Sequence, residues 1–109
     1  MNRLFVYGSL MPGKSNAHHL ENIGGTWKKG HIRGKYYNQG WGAGKGYPGV
    51  KLDANGDRIP GYIFSSHHLQ EHLAELDAFE GPDYARVTVK VTLEDSTIAE
   101  AYMYALSDV

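Results

Sequence analysis

Three stretches of this 109-residue chain carry residue types at spacings that chemistry uses. "GSLMPGKS", from Gly8 to Ser15, satisfies the phosphate-loop pattern G-x-x-x-x-G-K-[ST] letter for letter; in that pattern backbone amides and a lysine cradle phosphates. "GKGYPG", from Gly44 to Gly49, fits the dinucleotide pattern G-x-G-x-x-G. "HLQEH", from His68 to His72, fits the zinc-protease pattern H-x-x-E-H and sets two imidazoles one helical turn apart.

Each pattern works only in a structural context. A phosphate loop follows a strand, opens a helix long enough to aim its N-terminal dipole, and belongs to a parallel sheet with a magnesium-holding acid. Here the strand is present, but the following helix is short, the rest of the chain reads as antiparallel, and Pro12 removes a backbone donor where the loop needs one. Gly13, Lys14 and Ser15 therefore read as a turn. "GKGYPG" opens no helix, because Pro48 and the β-branched "VKL" follow it, so it reads as a glycine-rich loop. The two histidines are too few ligands for zinc, and they flank a leucine stripe where solvated histidines are common. No metal and no cofactor is expected.

The elements that position these residues follow from periodicity. Arg3 to Tyr7 reads as a strand ending at Gly8. Ser15 or Asn16 caps a helix of about two turns through His18, His19 and Leu20, stopped by Gly24 and Gly25. From Thr26 a meander of short strands follows, and in "VKLDANGDRIPGYIF" Asn55 and Gly56 predict a tight hairpin with positive backbone angles. The period then changes: Leu69, Leu73, Leu76 and Phe79 recur at helical spacing, with Ser65 or Ser66 as cap, up to Gly81 and Pro82. "YARVTVKVTLED" alternates Val87, Val89, Val91 and Leu93 against polar residues, the mark of a half-buried strand. "TIAEAYMYAL" is a final strand after a turn at Glu94 to Ser96.

Composition sets the frame. The length suits one domain with one core, over residues 1–109. Fourteen glycines against four prolines favour short strands and sharp corners over a helical bundle. A net charge of −1 provides no overall basic field, so neither nucleic acid nor membrane is an expected partner. With no cysteine, thiolate catalysis and thiolate ligation are absent. No signal-like or membrane-spanning run occurs, and the expected location is the cytoplasm.

Two segments remain, the strand end "FVYGSL" and the helix end "LDAFEGPDYARV". With "VYGSL" (Val6–Leu10), "PGKSN", "YPGV" (Tyr47–Val50), "IPGYIF" (Ile59–Phe64), "LDAFEG" (Leu76–Gly81) and "YARVTV" (Tyr84–Val89), the chain resembles the γ-glutamylcyclotransferase-like proteins, including the γ-glutamylamine cyclotransferases and the AIG2-like group. The resemblance runs over nearly the whole chain in the same order. It implies an α+β fold, a compact mixed β-barrel of short strands with flanking helices. It also implies a reaction in which the α-amine of a γ-glutamyl amine or amino acid attacks its own γ-carbonyl, giving 5-oxoproline and a free amine. The family's catalytic carboxylate falls on Glu80 and its substrate loop on Tyr7, Gly8, Ser9 and Leu10. Tyr62 departs from the pattern, standing where many relatives carry an acid, which bears on substrate preference.

The chemistry is consistent with that assignment. An α-ammonium cannot attack until it loses a proton, so one general base is the minimum, and the same acid can protonate the departing nitrogen. Glu80, beside Phe79 of the apolar stripe and at the negative end of a helix dipole, is expected to have a raised pKa. Tyr7 and Ser9 offer hydroxyls, and the turn at Gly8 offers backbone amides for a carboxylate or oxyanion. Tyr84 and Arg86 are second-rank candidates for the same pocket. Trp27, Trp41, Tyr36 and Tyr37 fit core, pocket wall or interface equally. The partner implied is a small γ-glutamyl substrate, and the chain is expected as a monomer or weak homodimer. The alternatives are a non-catalytic domain of the same fold that binds a small metabolite, and the nucleotide-binding protein of the first motif.

Overall fold

A computed structural model describes residues 1–37 and 49–107. Its six strands are β1 (Arg3–Val6), β2 (Thr26–Tyr37), β3 (Gly49–Leu52), β4 (Asp57–Ser65), β5 (Tyr84–Leu93) and β6 (Ile98–Leu106). Two helices interrupt them, α1 (His18–Glu21) after β1 and α2 (Leu69–Glu80) after β4. The sheet order is β3-β2-β4-β1-β6-β5, and a further pairing of β2 with β5 closes five of the strands into a barrel. β3 is the extra strand, held on β2.

Alternation along the strands sorts apolar side chains to two sides of the barrel wall. Phe5, Tyr7, Ile32, Ile59, Ile63, Val89, Val91 and Met103 fill the interior. Leu4, Val6, Phe64 and Tyr104 point outward, where Leu69, Leu73 and Leu76 of α2 and Leu20 of α1 cover them. The helical spacing of those leucines is thus the reason α2 lies on the barrel. Phe79 departs from the expected stripe: it is exposed and packs on the His19 ring at 4.4 Å instead of entering the core.

Caps and turns differ in part from the sequence reading. Neither Ser65 nor Ser66 caps α2, which starts at Leu69 after an N-cap, His68, without a side-chain cap bond; Ser66 Oγ accepts from the His68 amide at 3.1 Å in the turn before the helix, and Ser65 ends β4. Neither Ser15 nor Asn16 caps α1, which spans four residues from an uncapped Ala17; the Asn16 side chain donates instead to Ser9 Oγ at 2.9 Å. The pairing of β1 with β6 is parallel and the other pairings are antiparallel, which makes the barrel mixed.

The hairpin expected at Asn55–Gly56 does not form. β3 and β4 both pair antiparallel with β2, on either side of it, and Gly34 stands in register with both Leu52 and Asp57. Residues 53–56 therefore carry the chain across β2 and do not fold one strand back on another. The crossing requires glycine twice: a Cβ on Gly56 would lie 2.5 Å from the Gly34 carbonyl oxygen, and one on Gly34 would lie 2.6 Å from the Lys51 carbonyl oxygen. Asp53 Oδ1 accepts from the Asn55 amide and tightens the turn without any positive φ at either predicted residue.

Candidate functional site

β1 ends at Val6, and residues 7–10 form a turn anchored in both cores. The Tyr7 ring lies in the barrel interior, whereas Leu10 is buried among the helix-side residues. The turn's carbonyls are used internally: Gly8 accepts from the Met11 amide at 3.1 Å and Ser9 from the Asn16 amide at 2.9 Å. Among the described residues, the amides of Gly8, Ser9 and Leu10 donate to no backbone carbonyl. The carbonyls of Gly8 and Ser9 are thus taken up within the segment, and backbone amides of such a turn are the donors an anion-holding or oxyanion-holding site requires.

Glu80 is the last residue of α2, where Gly81, at φ 83°, ends the helix and turns the chain into β5. Its charge acts on the hydroxyls of Tyr7, Tyr84 and Tyr104, which brings the helix end, the β1 turn and the start of β5 together. Burial raises the Glu80 carboxyl from its ordinary range to about 7. The direction is the one expected, and its cause is burial; Phe79 itself is exposed.

The neighbouring hydroxyls behave differently. Burial pushes Tyr7 and Tyr104 far above the ordinary tyrosine range, and Tyr36 and Tyr84 are raised as well. All four are neutral near pH 7 and cannot serve as bases there. Tyr7 is also already committed: its hydroxyl donates to the Tyr104 carbonyl at 2.7 Å and meets the Val50 backbone, so it is a brace and not the free donor expected. Its own carbonyl accepts from Tyr36 Oη at 3.1 Å. Ser9 keeps its hydroxyl hydrogen, since its oxygen accepts from Asn16.

The second-rank candidates separate. Tyr84 sits within the field of Glu80, as expected of a pocket residue. Arg86 is drawn away: its Nε lies 3.3 Å from Asp77 Oδ1, which also accepts from Tyr104 Oη at 2.6 Å, and its guanidinium covers the Tyr102 ring. Sequence inspection missed Asp77 and Tyr104 because their partnership spans 27 residues. Trp27 is settled as packing, against Phe64 and edge-on to Tyr62. Tyr62 itself belongs to that helix-side cluster.

The remaining motifs hold no site of their own in the described residues. His68 and His72 pair with Glu71 and Glu75 on the exposed side of α2, at 3.0 and 3.4 Å. No group of three or more potential metal ligands occurs among the described residues. Gly13 to Ser15 lead into a helix of one turn, too short for a phosphate loop. Of "GKGYPG" only Gly49 is described, opening β3; "NQGWGAGKG", Trp41 and Tyr47 lie outside the described residues.

A family model described as gamma-glutamyl cyclotransferase, AIG2-like, matches residues 4–109. The chain belongs to this family. Among solved structures similar to it is an AIG2-like protein from Mus musculus, 19% identical, with a TM-score of 0.74 over 100% of this chain and 79% of that one. YkqA from Bacillus subtilis is 27% identical with a TM-score of 0.73, covering 97% of this chain but only 36% of that longer protein. A chain described as gamma-glutamyl cyclotransferase is 18% identical with a TM-score of 0.71, over 97% of this chain and 66% of that one. No curated protein matches by sequence. The cyclotransferase-like barrel expected from the motifs is thus the fold observed, and family and fold support a cyclotransferase-type function. No described helix is long and apolar enough to cross a membrane.

Proposed function

We propose that this AIG2-like chain is a γ-glutamyl cyclotransferase acting on a small γ-glutamyl amine or amino acid. The observation that carries the reading is the pKa of Glu80. Set beside the tyrosine hydroxyls in its field, which stay protonated, its carboxyl is the group raised to about 7, where a general base and acid works best. No cation appears among the causes of its shift, and Arg86 is held by Asp77. The complement this carboxylate lacks is a positive group on a ligand, which the substrate's α-ammonium supplies.

The steps follow from that placement. The Glu80 carboxylate takes a proton from the α-ammonium, and the freed amine attacks the γ-carbonyl carbon to form a five-membered ring. The oxyanion, or the substrate's α-carboxylate, is held by the amides of Gly8, Ser9 and Leu10 with the Ser9 hydroxyl beside them. The C–N bond then breaks as the departing nitrogen takes the first proton back from Glu80; the carboxylate takes the second hydrogen of the ring nitrogen and passes it to the released amine, so that 5-oxoproline and an ammonium leave without water being consumed. Because the attack is intramolecular, holding the substrate in a near-attack pose contributes on the order of 7 to 11 kcal/mol in favourable cases. No metal or cofactor is needed for these steps, and a cytoplasmic metabolite is the substrate this reading calls for.

The test is to incubate the protein and a Glu80→Gln variant with a panel of γ-glutamyl amines and dipeptides and to measure 5-oxoproline. Product from the parent alone is expected. Silence across the panel would favour a non-catalytic binding domain, and equal product from both proteins would remove Glu80 from the base position.

A further inference from the structure

The outward face of β2 carries a row of cations that the reaction above does not use. Alternation puts Lys29, His31, Arg33 and Lys35 on one side of the strand. Register then sets Arg58 of β4 directly opposite Arg33, a like-charge pair that destabilises a ladder when nothing neutralises it. Among the described residues, none of Arg33, Arg58 and Lys90 forms an ion pair.

Beside this row the barrel has a seam. β2 and β5 pair only at Gly30–Leu93 and His31–Thr92, and the strands part beyond that point. The opening is a groove of about 470 Å³ with His31 and Arg33 on the β2 wall, Thr88, Lys90 and Thr92 on the β5 wall, and the exposed Leu52 at its end. Burial first, then the charges of Arg58 and Arg33, holds the His31 imidazole below its ordinary range, so the three groups lie within one another's fields.

We propose that this groove is a binding site for a small anion carrying at least two charges, of the phosphate or phosphate-ester class. Arg33 on one wall and Lys90 on the other line the groove, so a single carboxylate would neutralise one cation and leave the second without a partner. A tetrahedral dianion presents oxygens to both walls, accepting charge-assisted bonds from Arg33 and Lys90 and hydrogen bonds from the threonine hydroxyls. The groove's size lies within the range of small-ligand sites. The site is separate from Glu80 and stands whether or not cyclotransferase activity is found.

The experiment is an NMR titration of the full chain, following the His31 imidazole and the Thr88 and Thr92 amides. Inorganic phosphate, pyrophosphate, glycerol phosphate and, as a dicarboxylate control, succinate are added in turn. Saturable shifts at those three residues are expected with pyrophosphate, with affinity about tenfold weaker in each of Arg33→Gln and Lys90→Gln, the loss of one charge-assisted bond. Glu80→Gln is expected to bind like the parent. Tighter binding of glycerol phosphate than of inorganic phosphate identifies an ester as the ligand, and the reverse order identifies the free ion. The proposal falls if His31 shows no saturable shift at millimolar pyrophosphate, if both glutamine variants bind as well as the parent, or if succinate binds as tightly as pyrophosphate.

Discussion

Two ionisable groups of this barrel, one at the end of α2 and one on β2, have both been pushed toward their neutral forms, by different means. Glu80, the last residue of α2, is raised to about 7 by burial, with tyrosine hydroxyls in its field. His31, at the β2–β5 seam, is lowered by burial and then by two arginines. A group displaced by burial alone keeps its reactivity, because a ligand of opposite charge can enter and restore its ion. In the seam the fixed charges are themselves in excess, and what they lack is a counter-ion. The first environment suits proton transfer and the second suits anion capture.

The largest effect that would break this contrast is on activity. Glu80→Gln keeps the shape of the site but removes its base, and 5-oxoproline formation is expected to fall by roughly 10²- to 10⁴-fold, the range general acid–base catalysis contributes. In the parent, kcat/KM is expected to rise with pH through about 7 and then level off, as Glu80 loses its proton. A profile flat between pH 5 and 9 would mean that another group carries the proton.

The next effect is on stability, and its sign runs opposite to the activity. The native Glu80 carboxyl holds its proton up to about 7, whereas in the unfolded chain it loses it near 4.5. Native stability is therefore undiminished below pH 4.5, falls as pH rises through that window, and carries the full penalty above pH 7. Glu80→Gln should be more stable than the parent above pH 7 by up to about 3 kcal/mol and no more stable at pH 4. Urea denaturation at the two pH values measures the difference. A variant that is inactive yet more stable would separate function from folding at this residue.

A smaller change sharpens the same site. Tyr7→Phe removes the hydroxyl that donates to the Tyr104 carbonyl, and leaving a buried acceptor unpaired costs about 1 to 3 kcal/mol. If Tyr7 is a brace, thermal unfolding records that loss while KM changes little. A KM rise with unchanged stability would instead turn the hydroxyl toward substrate.

How much of this was legible in the sequence depends on range. α2 and β5 were, because Leu69, Leu73 and Leu76 recur with a helix's period and Val87, Val89 and Val91 with a strand's, and both periods are local. The crossing at Gly34 was not: Asn55–Gly56 announces a turn but says nothing of which strand edges it joins. The parallel β1–β6 pair and the Tyr7–Tyr104 bond unite residues 97 apart or nearly so, beyond the reach of any spacing rule. Motif resemblance pointed to Glu80 and residues 7–10, and the fold brings Tyr7 of that turn within the field of Glu80. The seam groove was hidden by a sum. A net charge of −1 averages the acids of α2 and its flanks against the cations of β2, and only the register with β4 shows that Arg58 joins them.

The smallest predicted effect is the one that tests the seam most directly. In Arg58→Gln one of the two charges repelling the His31 proton is gone, so its pKa should rise toward the ordinary value of 6.5 without reaching it, because burial, the larger cause, remains. Saturating pyrophosphate should raise it in the same direction by supplying the missing counter-charge. An imidazole at position 31 that moves in neither case would mean that desolvation alone sets it, and Glu80 and His31 would then share one mechanism.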